Sequence, residues 1–187
     1  LDGDTAVVGA TRDDHGGHSD AGSAYVFERQ SGSWSQTAKL TASDAAESDW
    51  LGSSVSLDGD TVIAGAANDD HGGYGAAGSA YVFERSSGSW SQAAKLTAAD
   101  AAAYDLFGES VSLDGDTAIV GALEDDHGGH TRAGSAYVFE RTSGSWSQQA
   151  KLTASDAAAY DRLGWSVSLD GDTAVVGATR DDHGGHS

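Results

Sequence analysis

Apolar and polar positions fall into short β-like runs along the whole chain. Ser53-Ser54-Val55-Ser56-Leu57 alternates and stops at Asp58-Gly59. Asp-Gly between apolar runs is a strong hairpin signal, because a type I′ turn needs positive φ there. Thr61-Val62-Ile63-Ala64-Gly65-Ala66 is the returning strand. A Gly- and Asp-rich run follows from Ala67 to Gly78. Ser79 to Arg85 is dense in β-formers, Ser86-Ser87-Gly88-Ser89 is a turn, and Trp90 to Leu96 alternates again. Thr97 to Gly108 links onward, and its Ala-rich part has the propensity for a single helical turn. In strand order these four segments are A, B, C and D. B and C are apolar on both faces (Val62-Ile63, Tyr81-Val82-Phe83), which predicts strands covered on both sides. D alternates, with Trp90 and Leu96 opposed to Ser91 and Lys95, as expected of a half-exposed outer strand.

The unit repeats. Leu1, Leu57, Leu113 and Leu169 each open the string LDGD, so the period is 56 residues, and the last 19 residues are identical to the first 19. The repeats are 1–56, 57–112 and 113–168, with a partial copy at 169–187. A period of a few tens of residues signals a solenoid, propeller or array. Four strands with two tight turns favour an all-β propeller blade over a solenoid coil. The chain is expected to hold B-C-D, two full A-B-C-D sets and A-B. Thirteen strands fill about three blades plus a partial one, fewer than the ~4–8 that close a propeller. That count, with the absence of any Met, leads to the expectation of a segment of a longer chain, or of copies that join by strand edges.

In a meander the connections alternate between the two ends. The A–B and C–D turns are tight and share one end. The B–C loop and the D–A link are long and share the other, which makes that end the candidate binding surface.

Composition narrows the function classes. There is no Cys, hence no disulfide framework, thiol catalysis or cysteine metal site. No apolar run approaches a membrane span, and no targeting segment stands out. The core must be thin and rich in Ala. Asp and Glu total 29 against 10 Lys and Arg, a net charge of −19 spread over every repeat. So few basic residues argue against a nucleic-acid partner. The acidity fits a salt-rich, halophilic setting, where screening relieves self-repulsion, or binding of divalent cations.

Candidate chemistry gathers in the long loops. The seven His are His15, His18, His71, His127, His130, His183 and His186. They follow the pairs Asp13-Asp14, Asp69-Asp70, Asp125-Asp126 and Asp181-Asp182 and flank or precede Gly-Gly. The D–A links add Asp44 and Asp49, Asp100 and Asp105, Asp156 and Asp161. Asp13, Asp14, Asp69, Asp70, Asp125, Asp126, Asp49, Asp105 and Asp161 are the candidate Ca²⁺ ligands, as hard oxygen donors from two loops at one end. Asp with His would suit Zn²⁺ instead. The competing reading is structural: Asp and Gly form turns, and Asp bonds its own loop backbone. The G-x-S starts at Gly52, Gly108 and Gly164 lack the closing Gly of a nucleophile elbow. Trp34, Trp90 and Trp146 recur as packing elements or sugar platforms. Trp50 and Trp165 do not recur and are candidate ligand contacts.

These pieces resemble FG-GAP repeats, the units of the integrin α-chain β-propeller and of many bacterial and archaeal surface proteins. Phe107-Gly108 resembles the FG, with Leu51-Gly52 and Leu163-Gly164 in its place elsewhere. Val120-Gly121-Ala122 resembles the GA(P), its Pro replaced by Leu123. The order S-V-S-L-D-G-D-T, V-G-A, G-S-A-Y-V-F, W-x-x-x-x-K-L-T resembles the prokaryotic branch over essentially the whole chain. The family's Asp-rich Ca²⁺ loop between A and B is here the bare Asp58-Gly59 turn, so that site does not carry over. The resemblance implies an extracellular or cell-surface module for adhesion or surface display, without a defined enzyme activity, and the incomplete strand count adds structural self-assembly as an expectation. Its implied partners are neighbouring repeats, further copies, or a protein or glycan ligand. A carbohydrate-binding or carbohydrate-cleaving propeller is the alternative, distinguished by unique polar groups in one blade.

Overall fold

The computed structural model describes residues 1–180. Thirteen strands run through them: β1 (Thr5–Ala10), β2 (Ser23–Gln30), β3 (Ser33–Leu40), β4 (Leu51–Asp58), β5 (Thr61–Ala66), β6 (Ser79–Ser86), β7 (Ser89–Leu96), β8 (Phe107–Asp114), β9 (Thr117–Ala122), β10 (Ser135–Thr142), β11 (Ser145–Leu152), β12 (Leu163–Asp170) and β13 (Thr173–Ala178). They form antiparallel meanders in the orders β1-β2-β3, β4-β5-β6-β7, β8-β9-β10-β11 and β12-β13. This is the B-C-D, A-B-C-D, A-B-C-D, A-B series of an all-β, propeller-like array of blades. No helix occurs among the described residues; the Ala-rich links form turns.

Strand A begins earlier than the sequence pattern indicated. Leu51, Phe107 and Leu163 open the strand, so the FG dipeptide belongs to it and not to the link. Leu51 pairs with Ala66, then the register shifts before Val55 meets Ala64. The glycine in this bulge, Gly108 in the second repeat, has φ +98°, which is why the segment reads as loop.

The continuous apolar runs of B and C serve two cores at once. Val62, Tyr81 and Phe83 point back to Val26, Leu40 and Leu51 at the joint with the preceding blade. Ile63 and Val82 point forward to Phe107, Val120 and Phe139 of the next. Adjacent strand residues face opposite ways, so an inner strand sandwiched between blades must be apolar at consecutive positions. Phe107 sits edge-on to Tyr137 and Phe139 at 5.5 and 5.9 Å. β7 alternates exposed and half-buried positions, as its pattern indicated.

Three further devices join the blades. The first is a close glycine contact. A Cβ on Gly65 would lie 1.8 Å from the Gly108 carbonyl oxygen, and one on Gly121 would lie 2.1 Å from that of Gly164. The glycine of V-G-A and the glycine of the FG position thus meet backbone to backbone across each joint. The second is a row of side-chain acceptors. Ser54 Oγ, Ser56 Oγ and Asp58 Oδ2 accept from the N–H groups of Val111, Leu113 and Gly115 at 3.1, 3.1 and 2.6 Å. Two of the three recur at the next joint, with Ser112 and Asp114 accepting from Leu169 and Gly171, while Ser110 Oγ donates instead to the Gly164 carbonyl oxygen. Strand A is the free edge of its sheet, and its N–H groups need partners; alternate residues of the preceding strand A supply them. The third lies at the tight-turn end. Arg85 donates to Asp60 of its own blade and to Glu28 of the preceding one at 2.6 and 2.7 Å, with Trp90 5.4 Å beneath its guanidinium. Arg141, Asp116, Glu84 and Trp146 repeat this. The recurring Trp90 and Trp146 are therefore packing elements, half-buried against the cores.

Candidate functional site

The long loops share one end of the blades, and backbone hydrogen bonds tie each link to the B–C loop of the blade before it. Ser48 N–H donates to Ser19 O, Trp50 to Asp20 O and Leu51 to Ala21 O. Tyr104, Leu106 and Phe107 repeat this with Gly75, Ala76 and Ala77. The loop surface is thereby built on fixed backbone.

The two Asp of each pair have separate tasks. The first turns inward. Asp69 is buried, accepts from Ser79 Oγ and Tyr81 Oη at 2.6 and 3.1 Å, and pairs with Lys95 Nζ at 3.0 Å. Asp44, from the link, meets the same Lys95 at 2.7 Å and the same Tyr81 Oη at 3.0 Å. Lys95 Nζ also lies 5.2 Å over the Tyr81 ring. Asp100, Asp125, Tyr137 and Lys151 rebuild the cluster one blade on, and Asp13, Tyr25 and Lys39 form its counterpart in the first. The second Asp turns to its own loop. Asp14, Asp70 and Asp126 accept from the backbone N–H of Asp20, Ala76 and Arg132 at 2.9, 2.7 and 2.7 Å.

The link aspartates Asp49, Asp105 and Asp161 are buried and accept from the N–H groups of Ala46, Ala102 and Ala158 at 2.6–2.7 Å. Burial pushes Asp49 above the usual carboxylate range and Asp105 up to about 6. For Asp44 and Asp100 burial acts in the same direction, but hydrogen bonds from lysine and tyrosine outweigh it and hold both low. Lys39 holds Asp13 low. The carboxylates raise Lys95 and Lys151 against the opposing effect of burial. Burial and the facing aspartates raise Tyr81 and Tyr137, keeping both hydroxyls protonated donors.

Of the nine candidate metal ligands, Asp13, Asp69 and Asp125 each converge on a lysine ammonium, joined there in two blades by Asp44 or Asp100. Asp14, Asp70 and Asp126 accept from their own loop backbone instead. No group of three or more His, Cys, Asp or Glu converges to hold a metal among the described residues. His15, His71 and His127 each open a two-glycine turn closed by backbone hydrogen bonds to His18, Tyr74 and His130. Asp181, Asp182, His183 and His186 lie outside the described residues. Sequence reasoning placed Lys95 and Lys151 only on an exposed strand face and gave Tyr81 and Tyr137 no polar role. Their recurrence 26 and 12 residues after the first Asp of each pair was the available signal.

One interface departs from the repeated scheme. A cleft of about 280 Å³ opens between the 97–106 link and the 123–134 loop. Tyr104 lines it and is 70% exposed. Glu124 lies behind it, with its two oxygens bound by Arg132 Nε and Arg162 Nη2 at 2.6 and 2.7 Å. Arg132 stacks over Tyr160 at 6.0 Å. None of these five residues was singled out from the sequence. Comparing the repeats position by position shows four of them, since Ser48, Asn68, Ala76 and Leu106 stand one unit before Tyr104, Glu124, Arg132 and Arg162, whereas Tyr160 repeats Tyr104. Trp165, the unrepeated Trp of strand A, is half exposed.

A family model described as FG-GAP repeat matches residues 1–27, 34–83, 90–139 and 146–187. No curated protein matches the chain.

Proposed function

This chain belongs to the FG-GAP repeat family, and on that premise we propose that it is a non-enzymatic module of an extracellular or cell-surface protein that adheres to its partner through the loop-bearing end. The observation that carries the proposal is where the repeats differ in charge. Five positions of the 56-residue unit do so. They are Arg12, Asp20, Glu47, Trp50 and Ser53 in the first repeat; Asn68, Ala76, Ala103, Leu106 and Glu109 in the second; and Glu124, Arg132, Ala159, Arg162 and Trp165 in the third. Four lie in the long loops and the fifth is the third residue of strand A, at the same end. The tight-turn end keeps its charges in every repeat. A rigid scaffold with one variable end suits contact through that end. The loop-end carboxylates that recur are engaged with lysine, tyrosine or backbone, which supports binding over catalysis.

Adhesion of microspheres coated with the chain tests this. They should be retained on at least one of three surfaces: the same chain, a neutral polysaccharide, or poly-lysine. Charge-reversing changes at the loop end should reduce retention, and such changes at the tight turns should not. Retention on none of the surfaces would overturn the reading, as would release of reducing sugar from the polysaccharide.

A further inference from the structure

We propose that the cleft between the 97–106 link and the 123–134 loop is a binding site for one ring of a neutral saccharide, stacked on Tyr104. The inference deepens the adhesive reading and rests on it, since it names what this end would hold at one blade.

The size is the first argument. A cavity of about 280 Å³ sits at the lower edge of small-molecule sites, ~300–1,000 Å³, which suits a single ring and not an extended ligand. The second is the exposed aromatic. Tyr104 holds a left-handed backbone, φ +70°, fixed by its N–H bond to Gly75 O. Its ring stands 70% exposed beside the methyl groups of Ala102 and Ala103. An apolar platform with one polar tip fits the C–H face of a sugar.

Preorganisation is the third. Arg132 is held at three places, its Nε on Glu124, its backbone N–H on Asp126 and its guanidinium over Tyr160, and Glu124 is itself clamped by Arg162. Its side chain is still 49% exposed, so a guanidinium edge is presented in one orientation. A group fixed before the ligand arrives loses less entropy on binding.

Charge balance decides the ligand class. Asp100 and Asp125 share Lys151, and Glu124 lies between two arginines. These three carboxylates face three cations, and Asp105, also in the lining, is buried on the Ala102 N–H, which reduces the attraction for a cation. The groups left for a ligand are Arg132, a donor, Asp126, an acceptor, and the Thr131 and Tyr104 hydroxyls, which are both. A cation needs acceptors alone and an anion donors alone. A polyol needs the mixture. Three of these features are peculiar to this interface, because the preceding blade presents Asn68, Gly75 and Ala76 where Glu124, Thr131 and Arg132 stand.

Calorimetry and saturation-transfer NMR on the full chain test the site, with glucose, galactose, mannose, N-acetylglucosamine and their β-linked oligomers as probes. Two variants borrow residues the fold already accepts elsewhere: Y104S, after Ser48, and the pair T131G/R132A, after Gly75 and Ala76. At least one probe should bind. Y104S should weaken it about three- to tenfold with melting unchanged, and T131G/R132A should abolish it, with a melt that stays cooperative. Adhesion of coated beads with no sugar bound would overturn this site and leave the adhesive reading standing. Sugar binding at the cleft with no bead retention would do the reverse. Sugar binding indifferent to both variants, or poly-lysine binding lost in Y104S, would also overturn the proposal.

Discussion

Gly65→Ala isolates the contact on which each blade joint closes. Gly65 is the fifth residue of β5 and does not have positive φ, so alanine costs its own backbone nothing. The methyl group would sit 1.8 Å from the Gly108 carbonyl oxygen and 2.8 Å from its carbon. An ordinary contact there needs more than 3 Å, so the blades must separate by over 1 Å or a strand must buckle. Both partners are backbone inside a sheet, and neither can rotate away. Overpacking costs ~1–3 kcal/mol where side chains can adjust; here about 3 kcal/mol or more is expected. For a chain of this size ~1 kcal/mol moves Tm by ~2–4 °C, which gives a loss of about 6–12 °C by circular dichroism. Gly88→Ala is the control. It stands at φ +80° with nothing within 4 Å of its Cβ, so it carries only the left-handed backbone term, ~1 kcal/mol, or about 2–4 °C. Equal shifts for the two variants would refute the argument. So would a Gly65→Ala melt within ~2 °C of the parent chain.

Other consequences are as direct. Ser56→Ala removes the acceptor of Leu113 N–H and should cost ~0.5–1.5 kcal/mol, with faster hydrogen exchange at Leu113 and no change at Val111. Asp105 has its folded pKa raised to about 6 from 3.8, so the folded state binds the extra proton. Stability should rise as pH falls from 6 to 4, by about 2 kcal/mol. Asp105→Asn should flatten that slope, leaving the part due to Asp49 and Glu109, which burial also raises; an unchanged slope in urea melts would refute it. Lys95→Met strips the cation from buried Asp69 and from Asp44. It should cost about 2–3 kcal/mol, less than the ~3–5 of a fully buried pair, because Lys95 is a quarter exposed. EDTA in constant salt should leave Tm unchanged, since lysine already supplies the positive charge at these carboxylates; a fall would place a divalent cation there.

The strands were legible where side chains alternate or crowd. β5 runs over the residues its pattern named, because Thr-Val-Ile-Ala-Gly-Ala is bounded by a turn and an acidic loop. The start of strand A was not, because Phe107-Gly108 combines a bulge with a left-handed glycine, and no periodic signal survives a register shift. The acidic loops were legible as one surface, since meander topology puts both long connections together. The division of labour within Asp69-Asp70 was not. Loop residues carry no period, and which neighbour faces Lys95 depends on a strand 26 residues away. Tyr104 was passed over because it ends an Ala-rich run that reads as a helical turn.

The row of Ser54, Ser56 and Asp58 against Val111, Leu113 and Gly115 gives the array a direction. Strand β8 receives side-chain oxygens through its backbone N–H from β4 behind and offers its own forward to β12 and its turn, as a plug does to a socket. One 56-residue unit carries both halves of the joint. An in-frame duplication or loss of whole units therefore leaves every remaining joint matched, whereas a change of any other length strands a half-joint. The near-identity of the repeats is then the mark of a gene that can lengthen or shorten in whole units without redesigning a single interface.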